Sequence, residues 1–308
     1  MSNRITHSMM QRNVLADLNA VSSRLSRTQA KIASNREISK PSDDPFDASR
    51  AMALRQSLAA TVQQQRNAQD ALGWQEATEQ SLGQITDLVH RARELIVRGS
   101  TDSADAADRT SIAAELEQIV ESIKQNANGT YRGSHLFSGS ETDTPPYEQG
   151  AVDAYGGDEA GYDPASPGVL REIGPGVTIS INTVGREFLG DGASAGDGKL
   201  LDNLRAAVVA LRADDPAALR DTELGRLDSN LDLLLEVRAR NGARSNRLES
   251  ALSRLAEVEE STIRQLSETE DADIAKTLID FNSQQAAYQS ALRAGASLVQ
   301  SSLLDFLR

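Results

Sequence analysis

Proline divides this chain before any other feature does. None lies between Phe46 and Thr144, and none between Ala217 and Arg308. Five of the eight prolines and fifteen of the 21 glycines fall between Gly129 and Gly198. Proline breaks helix interiors and glycine weakens them, so the two flanks are free to be helical and the middle is not. The predicted layout is helix, insertion, helix, and the two ends must come together for their helices to pair.

The first flank opens on a coiled-coil stripe. Val14, Leu18, Val21, Leu25, Thr28 and Ile32 recur by four and three residues, the 3.5-residue period of an a/d seam. A helix from Met10 to Ser34 would be roughly 37 Å long. The stripe stops near Asn35. In Lys40-Pro41-Ser42-Asp43-Asp44-Pro45 the chain breaks and restarts. Asp44 is placed to cap the next helix, Pro45 suits its first position, and Asp47 suits its positive N-terminal dipole. Ala51, Leu54, Leu58, Thr61, Gln65, Ala68 and Leu72 carry the next stripe, and Leu82, Ile85, Val89, Leu95 and Ile96 continue an apolar face. Gly99 to Asp102 reads as a turn. Ile112, Leu116, Ile119, Val120 and Ile123 mark a further helix that ends at Asn128-Gly129.

The second flank repeats the pattern. Leu200, Leu204, Val208 and Leu211 form a short helix, and Asp215-Pro216 restarts another. Leu224, Leu227, Leu231 and Leu234 continue the face, followed by Leu248, Leu252, Leu255, Val258 and Leu266. The last stripe is Ile274, Leu278, Phe281, Gln285, Tyr288, Leu292, Gly295 and Val299, with Leu303 beyond it. In the middle, Val177, Ile179 and Ile181 alternate with polar residues as a half-buried strand does, and Leu136-Phe137 is expected in another strand. From Gly139 to Gly176 there are eight acidic residues against one basic, Arg171.

The expected fold class is mainly α. It is an extended helical bundle or coiled-coil rod built from the N- and C-terminal segments, with a small β-rich insertion domain. The expected divisions are a coiled-coil segment at 1–40, the first part of a helical rod at 41–130, a β-containing insertion at 131–199, the second part of the rod at 200–270, and a second coiled-coil segment at 271–308. The candidate subunit-packing seam, expected to be buried between the two ends or against neighbouring copies of the chain, is Val14, Leu18, Val21, Leu25 and Ile32 with Ile274, Leu278, Phe281, Tyr288, Leu292, Val299 and Leu303.

Charge and composition narrow the function. A net charge of −13 repels phosphate backbones, so nucleic acid is not an expected partner. No apolar run approaches the roughly 20 residues that span a bilayer, so no membrane is expected either. The start, MSNRITHSMMQRN, has no long apolar stretch and no small-residue cleavage site, and a cleavable Sec-type signal is not expected. Without cysteine there are no disulfides, thiolate metal sites or cysteine nucleophiles. His7, His90 and His135 are too dispersed for a zinc site, and no HExxH occurs. Ser134-His135 lacks a nucleophile elbow and reads as loop. Asp153, Asp158, Glu159 and Asp163 lack the EF-hand spacing and read as a solvated acidic loop. Gly156-Gly157 and Gly174-Pro175-Gly176 read as turns, since no Lys-Ser/Thr follows them. No catalytic residue, metal site or cofactor is expected, and no enzyme.

Four segments carry a family resemblance. Ile32 to Arg50 (IASNREISKPSDDPFDASR) resembles the motif that follows the first helix in the flagellin superfamily. Its Lys40-Pro41-Ser42-Asp43-Asp44-Pro45 form is similar to the hook-associated protein 3 branch more than to flagellin. Arg4 to Met10 (RITHSMM) and Ser301 to Leu307 (SSLLDFL) resemble the ends of that branch. Tyr131 to Gly139 (YRGSHLFSG) resembles the family's entry into its β region. The resemblance implies a structural subunit of the bacterial flagellum, exported through the flagellar type III channel and left outside the cell. It implies a homo-oligomeric ring between hook-associated protein 1 and flagellin, and an export chaperone holding the C-terminal part. It also implies terminal segments that are poorly ordered alone and pair in the assembled tube. Two other readings stand beside this one: a minor flagellin polymerising in the filament, and a cytosolic coiled-coil adaptor.

Overall fold

A computed structural model of the chain describes residues 7–148, 155–161 and 168–306, with the side chains of its first and last helices described at 9, 12–34 and 274–296. The long proline-free stretches become long helices. These are α1 (His7–Ser34), α2 (Pro45–Gly99), α3 (Ala106–Ala127), α5 (Leu200–Arg212), α7 (Leu224–Glu270) and α8 (Ile274–Phe306). The proline- and glycine-rich middle holds β1 (Thr130–Tyr131), β2 (Ser134–His135), β3 (Leu170–Gly174), β4 (Val177–Ser180) and the short α4 (Gly185–Leu189). One turn of helix, α6 (Pro216–Ala218), runs through a π-helical turn at Leu219–Glu223 into α7.

The chain forms two compact units, Met1–Ala60 with Val258–Arg308, and Thr61–Glu257. Neither α2 nor α7 carries an internal proline.

In the unit Thr61–Glu257, the apolar faces read from periodicity form one core. Leu82, Ile85, Val89, Leu95 and Ile96 of α2 join Ile112, Leu116, Ile119, Val120 and Ile123 of α3, Leu200, Leu204 and Leu211 of α5, and Leu227 and Leu234 of α7. The small β region of the middle segment packs into the same core. Leu136, Phe137, Tyr147, Ile173, Ile179, Ile181, Phe188 and Leu189 belong to that same core. Strands of two to five residues cannot support themselves. This region instead concentrates the chain's few aromatics: Trp74 meets Tyr131 edge-on, Phe137 meets Phe188, and Tyr147 meets Tyr155. The Tyr147 hydroxyl donates to the Gly190 carbonyl at 2.7 Å, and burial pushes its pKa well above the ordinary tyrosine value.

The hairpin β3–β4 is antiparallel, with Arg171 opposite Ile179 and a bulge between Glu172 and Gly174. Hydrogen bonds dock it on α2: Asn67 Nδ2 to the Glu172 carbonyl and Gln75 Nε2 to the Ile181 carbonyl, at 3.1 and 2.7 Å. Leu136 and Phe137 lie just after β2 instead of within a strand, fully buried. Asn128 ends α3 without adopting the left-handed conformation. Its side chain clamps Tyr147, accepting from the Tyr147 amide at 2.9 Å and donating to the carbonyl at 2.5 Å. Gly99 to Asp102 forms the expected turn, and the buried Arg109 holds it by donating to the carbonyls of Gly99 and Thr101.

The π-helical turn buries Glu223, whose Oε2 has no hydrogen-bond partner. Burial pushes this carboxyl above the ordinary range; Arg226 opposes that shift and Asp202 adds to it. A folded-state pKa above the unfolded value means that stability is lost as pH rises through it. We therefore expect Glu223→Gln to melt at a higher temperature than wild type at pH 7. The gap should close as the pH is lowered toward the ordinary glutamate value of about 4.3, read by thermal unfolding over a pH series.

Candidate assembly interface

The unit Met1–Ala60 with Val258–Arg308 is built on the pairing of α1 with α8. The two helices run antiparallel. The Thr28 hydroxyl donates to Gln284 Oε1 at 2.8 Å. At the other end Gly295 comes so close to α1 that a β-carbon there would lie 3.2 Å from Val14 Cγ1 and 3.7 Å from Leu18 Cδ1. On α1 the inward face is the expected stripe: Val14, Leu18, Val21, Leu25 and Ile32 are half-buried and Thr28 is buried.

On α8 the inward face differs from the expected one. It consists of Thr277, Phe281, Gln284, Tyr288, Ala291 and Gly295, again spaced by four and three residues. Phe281, Tyr288 and Gly295 belong to both stripes. Ile274, Leu278 and Leu292 do not face α1 and stand 44%, 43% and 45% exposed, with Ile279 beside them at 69%. The physical reason is that two stripes of the same period run side by side on α8. The one chosen by the partner helix sets the small or polar Thr277, Gln284, Ala291 and Gly295 between the aromatic Phe281 and Tyr288, which allows close approach and hydrogen bonding across the seam. The side chains of Val299 and Leu303 lie outside the described residues.

The turn between α1 and α2 is fastened to the turn between α7 and α8. The Glu37 amide donates to the Glu270 carbonyl at 2.8 Å, the Ala272 amide donates to the Asn35 carbonyl at 3.1 Å, and Arg36 and Asp271 form an antiparallel bridge. Asn35 takes a positive φ of 56° to make the turn. The buried Glu270 carboxylate pairs with Arg55 of α2 through one oxygen and with Arg36, at 3.4 Å, through the other. Periodicity gave no sign of Glu270, Arg36 or Arg55, because these residues act through charge and turn geometry.

The Lys40–Pro45 motif builds the corner that follows. Asp43 Oδ2 accepts from the Lys40 and Ser39 amides at 2.9 and 3.2 Å, and these bonds lower its pKa. Asp44 Oδ1 accepts from the Phe46 and Asp47 amides at 2.9 and 3.1 Å, capping α2 with Pro45 as its first residue. Lys40, Pro41, Ser42, Asp43 and Pro45 are exposed, and the corner presents Phe46 at 78% exposure.

Among the described residues no cluster of three or more His, Asp or Glu is arranged to hold a metal ion. Of the acidic loop, Asp153 and Asp163 lie outside the described residues. Asp158 accepts from the Ser140 and Ala160 amides and holds a turn. Burial raises its pKa, but these bonds and that from the Ser140 hydroxyl outweigh it and leave it lowered. His135 Nδ1 lies 3.1 Å from the Asn128 carbonyl. No described helix is long and apolar enough to cross a membrane.

Two sequence profiles match the ends of the chain: the bacterial flagellin N-terminal helical region over residues 5–142, and the bacterial flagellin C-terminal helical region over residues 224–307. The chain belongs to the bacterial flagellin family. Within that family, flagellar hook-associated protein 3 of Escherichia coli K12 is 29% identical over 290 residues, covering 88% of this chain and 90% of that protein. A flagellin of Bacillus subtilis 168 is 25% identical over 317 residues, covering 99% of this chain and all of that flagellin. The solved structure of the flagellar junction protein FlgL from Legionella pneumophila shares the fold, with a TM-score of 0.56 at 15% identity, over 73% of this chain and 100% of that one.

The close approach at Gly295 is testable. Gly295→Val overpacks the seam against Val14, an error that costs about 1–3 kcal/mol. Amide exchange in α1 and α8 of the full chain is expected to accelerate accordingly, while exchange in α3 and α5 stays unchanged.

Proposed function

We infer that this flagellin-family chain is the structural subunit that joins hook to filament in the bacterial flagellum. It works outside the cell, as part of the assembled appendage. The observation that carries this reading is the second stripe of α8. A helical pair that has already closed its own seam still holds Ile274, Leu278, Ile279 and Leu292 in water. Burial of one such side chain contributes on the order of 1.5–3 kcal/mol, so a few of them covered by neighbours suffice to drive assembly, less the cost of ordering the ends. The Lys40–Pro45 corner and the higher identity to hook-associated protein 3 than to flagellin favour the junction over the filament.

The contacts that follow are a ring of copies of this chain, hook-associated protein 1 on the hook side and flagellin on the filament side. An export chaperone covers the C-terminal stripe of α8 before secretion. Folding of the ends is completed on assembly, since one apolar stripe leaves a lone helix marginal in water. The role is structural and not enzymatic.

Deletion of the gene in its host is expected to leave hooks without filaments and unpolymerised flagellin in the medium. Shortened filaments would point to a redundant flagellin instead, and flagella of unchanged number and length to an adaptor. Returning the gene with Leu278→Asp and Leu292→Asp is expected to leave the melting of the purified chain unchanged, yet fail to restore filaments, as seen by electron microscopy of the cells.

A further inference from the structure

The flagellar role leaves one polar recess without a purpose. It lies within the unit Thr61–Glu257, where α4 and the chain leaving β4 meet α7. Its volume is about 20 Å³, and Thr183, Val184, Glu187, Val237, Arg240 and Arg244 are among the residues that line it. That space holds a single water-sized or chloride-sized particle.

Its charges do not balance. Arg240 and Arg244 stand four residues apart on α7, where like charges repel. Glu187 pairs with Arg240. Arg244 donates through Nη1 to the Asn182 carbonyl at 2.8 Å and, among the described residues, forms no ion pair. The recess thus carries two cations against one carboxylate. Burial pushes the Arg244 guanidinium down, Arg240 adds to that shift, and Glu187 opposes it. Guanidinium keeps its charge in proteins, so the protein cannot relieve this imbalance by losing a proton. An anion relieves it, and the N–H donors of the half-buried Arg244 bind one more strongly than exposed donors do.

We propose that this recess binds one small monovalent anion, chloride or a single carboxylate group, between Arg244 and Arg240 with Thr183 on its wall. The two arginines supply the charge and the directed N–H donors. Val184 and Val237, both buried, form its apolar wall.

Nuclear resonance of chloride in solutions of the full chain tests this. Protein-dependent broadening of the chloride line is expected to saturate with chloride concentration. It should be lost in Arg244→Gln and in Arg240→Gln, and kept in Arg254→Gln, an exposed arginine on the same helix outside the recess. Two arginine variants are used so that the result does not depend on how well either one folds, which circular dichroism checks. Displacement of chloride by acetate assigns the recess to carboxylates as well, and no displacement assigns it to halide alone. Broadening that fails to saturate, that is absent in wild type, or that survives in both arginine variants overturns the proposal.

Discussion

Each long helix of this chain is held by a stripe of residues that another helix must cover, and for the two ends that cover is mutual. α1 has α8 and α8 has α1. The pairing is shallow. Most of the contact residues are half-buried, and towards one end of the seam a hydrogen bond from Thr28 to Gln284 stands in place of a leucine pair. A polar contact at such a position fixes register at some cost in stability. The fastening of the two turns by Glu270, Arg36 and Arg55 restores part of that and sets which residues of α1 meet which residues of α8.

Much of this was legible in the sequence because helical periodicity and proline placement are local signals. The faces of α2, α3 and α5 read correctly because their partners are apolar, so the buried stripe is also the hydrophobic one. The restart at Asp44-Pro45 was legible because a cap and a first-position proline need no partner beyond the helix they begin. The seam of α8 was not. Ile274, Leu278 and Leu292 look like core by hydrophobicity, whereas Thr277, Gln284 and Ala291 take the inward place because they admit a close neighbour. Hydrophobicity alone cannot separate a stripe buried in the chain from a stripe kept for others.

The middle shows the same limit from the other side. Alternation located β4, but β3 has no such pattern, and Leu136-Phe137 looked like strand only because both residues are apolar. Their burial comes from helices distant in sequence, through contacts such as Phe137 with Phe188 and the Asn128 clamp on Tyr147. Composition suggested an independent insertion. Its core proves to be continuous with the helices, since hairpins this short have no interior of their own.

The antiparallel meeting of α1 and α8 has a consequence for synthesis. α1 ends at Ser34 and α8 begins at Ile274. At about 5–20 residues per second, the ribosome needs on the order of ten seconds or more to travel between them. Throughout that interval the stripe of α1 is outside the ribosome with its partner not yet made. A chain cut short by a stalled ribosome leaves that stripe bare for good. The stripe of α1 therefore stays without its partner at least until synthesis reaches the far end of the chain.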